Sequence, residues 1–135
     1  MTRYQKGANA ERELIKELYG RGLSVVRVAG SGKNSLPMPD IVALSKTKKL
    51  VFECKAWGAA YLNLSIEQMD GQIGWARRSN AEFFVVWKVP RKGFLFLNPK
   101  DFVKAGKNYV ISLKKAQGCA LDLRVVLGEQ SRLEA

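Results

Sequence analysis

Residues 39–56 constrain the fold more than any other stretch. They read Pro39-Asp40-Ile41-Val42-Ala43-Leu44, a lysine-rich turn, then Leu50-Val51-Phe52-Glu53-Cys54-Lys55-Ala56. Two apolar, β-rich runs joined by a short polar connection predict a hairpin. Residues two apart on a strand share a face, so Glu53 and Lys55 point the same way. Asp40, at the start of the neighbouring strand, can converge with them on one small volume. Two acids with a lysine suit a hard divalent cation held by oxygen, with an ammonium left to meet a phosphate or polarise a water. On spacing alone the same residues also fit an ion pair on an exposed sheet face.

Charge narrows the partner. The chain has 135 residues, with 23 Lys+Arg against 12 Asp+Glu and a formal net charge of +11. A basic excess of that size points to an anionic partner, of which nucleic acid is the commonest. A merely soluble basic protein is the bland alternative. There is no histidine, which excludes histidine-dependent zinc sites and Ser-His or Cys-His catalysis. Cys54 and Cys119 form neither a disulfide framework nor a C-x-x-C pair. No apolar run approaches the roughly 20 residues of a membrane span, and no signal-peptide core opens the chain. These features predict a protein with no membrane partner, cytoplasmic and nucleoid-associated.

In chain order, residues 1–7 are basic and are expected to be loosely ordered. Ala8 to about Gly20 is helical, with Leu14, Ile15 and Leu18 as the apolar stripe and Glu11 on its core-facing side. An acid there is costly to bury without a partner. Leu23 to Val28 reads as a buried strand carrying Arg27. The Gly/Ser-rich loop 29–38 offers Ser31 and Lys33 to a phosphate, or is a plain connection. Residues 57–64 read as an irregular arm. Ser65 and Gln68 have capping-box form ahead of a helix to about Asn80, with Ile66, Met69, Ile73 and Ala76 inward. Trp75 falls off that stripe and is a candidate interface anchor, or packs under a loop. Phe83 to Val89 predicts a central strand, hairpinned through Arg91-Lys92-Gly93 to Phe94–Leu97. Asn98-Pro99 predicts a short helix to Ala105, Tyr109 to Leu113 an edge strand, and residues 114–127 a helix. A single domain spans residues 1–135, with a polar tail from about residue 128.

Pro39-Asp40 followed by Glu53-Cys54-Lys55 is the P-D-x(n)-[DE]-x-K signature of restriction-endonuclease-like nucleases. The wider pattern is Lys6-Gly7 to Glu11-Arg12-Glu13-Leu14, then Val26-Arg27 and Ala29-Gly30-Ser31, then Pro39-Asp40-Ile41 and Glu53-Cys54-Lys55. It resembles the archaeal Holliday junction resolvase family over roughly residues 3 to 80. The Ser31–Pro39 loop is richer in Gly and Pro than that family's pattern. The resemblance implies an α/β restriction-endonuclease-like fold, a central mainly mixed β-sheet flanked by helices. It also implies a homodimer that nicks two opposed strands of a four-way DNA junction using Mg2+, in recombination and repair.

By position, Glu11, Asp40, Glu53 and Lys55 match the family's catalytic acids and lysine, and Ser31 a loop serine near the reacting phosphate. Arg12 and Arg27 match arginines that serve DNA contact or activity. Trp75 stands where relatives carry an aromatic on the dimer-side helix, and Gln68 where some nucleases of the fold use a polar residue. Asp40 and Glu53, with Glu11 and the backbone carbonyl of Cys54, would hold one or two Mg2+ ions, with Mn2+ as a substitute. Lys55 would orient or deprotonate the attacking water, or stabilise transition-state charge. Lys6, Arg12, Arg27, Lys33 and Arg78 would grip phosphates in a salt-sensitive, sequence-independent way. Two other readings stay open: a restriction- or repair-type endonuclease on another DNA substrate, and a non-catalytic basic DNA-binding module. A sliding-clamp contact by the tail from Gln130 is a further partner expectation, although the tail lacks the aromatic pair that such a motif needs.

Overall fold

Alternation of apolar residues, interrupted by turn-forming pairs, lays down the strands, and the helices cover what the strands leave apolar. The computed structural model describes residues 2–28 and 36–129, without the side chains of residues 3 and 4. In chain order come α1 (Arg3–Gly20), β1 (Ser24–Arg27), β2 (Ile41–Leu44), β3 (Lys49–Ala56) and β4 (Tyr61–Ser65). Then follow α2 (Ile66–Ser79), β5 (Glu82–Lys88), β6 (Phe94–Leu97) and a 3-10 turn (Pro99–Asp101). The described chain closes with β7 (Val103–Ala105), β8 (Asn108–Ser112), α3 (Leu113–Cys119) and α4 (Leu123–Val126).

The main sheet has five strands in the order β1-β2-β3-β5-β6. Its pairs are antiparallel except β3 with β5, which run parallel. A parallel pair needs a crossover, and β4 with α2 supplies it. β5 lies in the interior of the sheet, which is why Phe83, Phe84, Val85, Val86 and Trp87 are buried in an unbroken run. On one face α1 sets Leu14 and Leu18 against Phe52, Cys54 and Phe84, and α4 adds Leu123 and Val126. On the other face α2 sets Met69 and Ala76 against Val51, Val85 and Trp87, joined by Leu62, Leu64 and Ile111 from a second sheet. This is the mixed, helix-flanked α/β sheet that the sequence implies, with the Pro39–Lys55 hairpin, the central strand and its Phe94–Leu97 partner in place.

Several local expectations are corrected. The basic opening is helical from Arg3, because Thr2 caps it: Thr2 Oγ1 accepts from Gln5 N–H at 3.1 Å and Thr2 N–H donates to Gln5 Oε1 at 2.9 Å. Residues 61–65 are a strand rather than an irregular arm, burying Leu62 and Leu64 alternately. β8, expected at an edge, is the middle strand of a three-stranded sheet ordered β4-β8-β7. The helix expected to reach Ala105 stops after Asp101, because the chain turns into β7 and pairs with β8. Residues 114–127 form two helices rather than one, broken where Leu121 N–H donates to Phe96 carbonyl at 2.8 Å and covers the outer edge of β6. Apart from the capped opening, these misses share one cause: pairing with another strand outweighed local propensity. Among the described residues no helix is long and apolar enough to cross a membrane.

Leu14 has no exposed surface and packs α1 onto the sheet that carries the acids. Leu14→Ala should lower unfolding free energy in urea by about 2–5 kcal/mol. A loss below about 1 kcal/mol would show that α1 is not seated as described.

Candidate active site

The β2–β3 register brings two carboxylates together. Ile41 pairs with Phe52, and Asp40, the residue just before β2, lies close enough to Glu53 on β3 for its charge to act on that carboxyl. Asp40 is fixed on both sides: its N–H donates to Phe52 carbonyl at 3.0 Å, and its carbonyl accepts from Val28 N–H at 2.8 Å. Its Oδ2 accepts the Cys54 N–H at 2.9 Å, so a β3 backbone amide aims the Asp40 side chain at its neighbour.

Glu53 is 4% exposed. Its Oε2 lies 3.3 Å from Lys55 Nζ and accepts from Gln68 Nε2 at 2.7 Å. Gln68 reaches it because Ser65 caps α2, accepting the Gln68 N–H at 3.0 Å. A capping box would return the Gln68 side chain to the cap; here that side chain serves Glu53 instead. Burial, and then the neighbouring Asp40 charge, push the Glu53 carboxyl up to about 8, against the pull of Lys55. A group that keeps its proton near neutrality only because it is buried beside another anion is one that a cation stabilises in ionised form.

Glu11 belongs to α1, on the opposite face of the sheet. Its Oε1 accepts from Arg27 Nε at 2.8 Å, which answers the cost of placing an acid on the apolar side of the helix. Burial and the Asp40 charge still raise its pKa, opposed by Arg27 and then Arg12. Among the described residues no three acids gather into one metal-holding group. Asp40 and Glu53 are the adjacent pair, and Glu11 stands behind them engaged with Arg27. The donor chemistry nevertheless fits a hard divalent cation: two neighbouring carboxylates, one of them buried with its pKa raised by that burial.

The remaining residues are spread around this pair. Cys54 turns its thiol into the core beneath the acids, and burial pushes that thiol up. Lys6 is exposed and lines a groove with Trp57 and Pro90. Arg12 is exposed on α1. Arg27, expected on phosphate, is half-buried and bonded to Glu11. Arg78 lies ten residues beyond Gln68 on α2, about 15 Å along the helix axis, and lines an open groove of about 670 Å3 with Trp75 and Leu36. Trp75 is half-buried: it packs against the core cluster of that face and also lines the groove. Ser31, Lys33 and the tail from Gln130 lie outside the described residues. The sequence reading missed Gln72, which α2 buries with Met69 and Ala76, while Ile73 packs half-buried against the same core as expected. The place of Gln72 between Met69 and Ala76 at helical spacing was the available signal.

Comparison with known proteins settles the family. A sequence model of the archaeal Holliday junction resolvase (Hjc) matches residues 2–134. The chain belongs to the archaeal Holliday junction resolvase family. The crossover junction endodeoxyribonuclease Hjc of Archaeoglobus fulgidus is 37% identical over 106 residues, 78% of each chain. Its counterpart from Methanocaldococcus jannaschii is 30% identical over 132 residues, 98% of this chain and 94% of that one. The crystal structure of Archaeoglobus fulgidus Hjc, described as a Holliday junction resolvase from an archaeal hyperthermophile, superposes with a TM-score of 0.82. That match has 31% identity and covers 94% of this chain and 99% of that one. The likeness extends the resemblance beyond residue 80, through the later strands.

Glu53 gives the candidate site a pH signature. The unfolded carboxyl titrates near 4.5 and the folded one near 8. Between those values the folded state keeps a proton that the unfolded state has lost, so stability falls as pH rises. Metal-free protein should lose urea resistance steadily from about pH 5 to about pH 8, and Glu53→Gln should remove most of that slope. An unchanged slope in the variant would assign the effect to another group.

Proposed function

We propose that this protein is a structure-selective, metal-dependent endodeoxyribonuclease that resolves four-way DNA junctions. The observation that carries the reading is the paired Asp40 and Glu53 with Lys55 on the same strand, in a chain of the Holliday junction resolvase family. Asp40 and Glu53 would hold Mg2+, one or two ions per site with Mn2+ able to substitute, aided by the Cys54 carbonyl and by Glu11 from behind. The cation supplies charge neutralisation at the cleaved phosphodiester and lowers the pKa of water.

The chain's own residues do the rest. Lys55 Nζ, already beside Glu53, is positioned to orient the attacking water and to meet charge that develops on the phosphate. Gln68 keeps Glu53 turned toward Asp40. Lys6, Arg12, Lys33, Arg78 and Ser31 supply the sequence-independent grip on the backbone, and Arg27 holds Glu11 while adding to the same positive field. Selection of branched DNA would then rest on shape.

Symmetric cleavage of two opposed strands needs two sites related by a two-fold axis. We place the homodimer contact at the groove beside Trp75, where Leu36 is 65% exposed and Gly74 adds no side chain to the helix surface. The proposed location is the cytoplasm, with the nucleoid.

Asp40→Asn and Glu53→Gln should each abolish Mg2+-dependent nicking while junction binding survives. The measurement is a cleavage gel that sets a four-way junction beside its component duplexes, with and without Mg2+. Full activity in either variant would overturn the site assignment, and equal cutting of duplex would overturn the substrate. Trp75→Glu should shift the sedimentation coefficient from dimer to monomer, and an unchanged value would place the dimer contact elsewhere.

A further inference from the structure

Gln72 is 4% exposed and lies on the face of α2 that packs onto the main sheet. Its Nε2 donates to the Met38 carbonyl. Its Oε1 is buried and has no hydrogen-bond partner. The amide cannot simply be turned over, since that would set two acceptors, Oε1 and the Met38 carbonyl, against each other.

Energetics make this an odd residue to keep for stability. An unpaired buried acceptor costs more than the single bond to Met38 contributes. A methionine or leucine would fill similar space without that cost. What the side chain does that an apolar one would not is hold the Met38 carbonyl.

Met38 leads directly into Asp40 through Pro39, which is buried and whose ring fixes φ. The segment is pressed against the helix at a second point: a Cβ on Gly71 would meet the Pro37 side chain at 3.0 Å, a separation that a side chain there would open. One helical turn before Gln72, Gln68 holds Glu53 at 2.7 Å. Two glutamines on adjacent turns of one helix thus grip both arms of the acid pair, one at the carboxylate itself and one at the chain that delivers Asp40.

We propose that Gln72 is a positioning residue for the metal site: through Met38 and Pro39 it sets the approach of Asp40 to Glu53, and so the affinity for the divalent cation. This rests on the metal-site reading above. The tests are Gln72→Met, which keeps the shape and removes the donor, and Gln72→Leu as a second variant. Mg2+ and Mn2+ binding to the free protein is measured by calorimetry, beside urea unfolding, junction affinity in EDTA and the Mg2+ dependence of cleavage.

Both variants should bind Mg2+ about tenfold more weakly or worse, the range typical when a residue that orients a metal ligand is lost. Their urea resistance should equal or exceed that of the unmodified protein, their junction affinity in EDTA should be unchanged, and cleavage should recover at saturating Mg2+. Metal affinity within about twofold of the unmodified protein would overturn the proposal. So would a loss confined to stability or to junction affinity, which would mark Gln72 as a structural residue or as one acting through the loop before Met38. Asp40→Asn separates the two levels: if it still binds metal normally, the metal-site reading itself fails, whatever Gln72 does.

Discussion

Two neighbouring carboxylates, one just ahead of β2 and one on β3, are the constraint around which this molecule is arranged. Asp40 and Glu53 repel, and one of them is almost wholly buried. Isolated, such a pair would separate or stay neutral. It persists because every neighbour acts on it: the Cys54 amide on Asp40, Lys55 and Gln68 on Glu53. The residual strain appears as the raised Glu53 pKa, a state that favours any cation able to sit between the two oxygens. The same feature that weakens the metal-free fold prepares the site.

The elements divide this labour by face. α1 carries Glu11 to the far side of the sheet, where Arg27 meets it and where the apolar stripe through Leu14 and Leu18 ties the helix down. α2 covers the near side and contributes the amides that reach Glu53 and Met38. Its flank at Gly71, Gly74 and Trp75 lines the open groove. One helix therefore borders both the acid pair and the surface proposed for the second subunit.

Residues 39–56 were legible because strand periodicity is local. Once two apolar runs are joined by a short turn, the shared face of Glu53 and Lys55 and the nearness of Asp40 follow from pleat and register. The lack of histidine and the net charge of +11 removed competing chemistries and pointed to a phosphate polymer. Less legible were residues 57–64 and 99–113, whose strands pair with one another across more than forty residues of sequence. No local pattern announces such a pairing. Gln72 escaped notice because a glutamine on a helix is ordinarily solvated, and only packing shows that it is enclosed.

The sequence by itself determined the chemistry: which acids and which lysine are available, which strands carry them, and that the partner is anionic. These depend on residue type and on periods of two and 3.6, which act over a few positions. Only the tertiary structure decided the partnerships. Arg27, which the sequence offered to phosphate, is bound to Glu11; Gln68, which had the form of a cap, is bound to Glu53; Gln72 holds the chain that leads into Asp40. Those pairings arise because burial forces each polar group to find a partner among whatever the fold brings near, and nearness in the fold is not written in nearness along the chain.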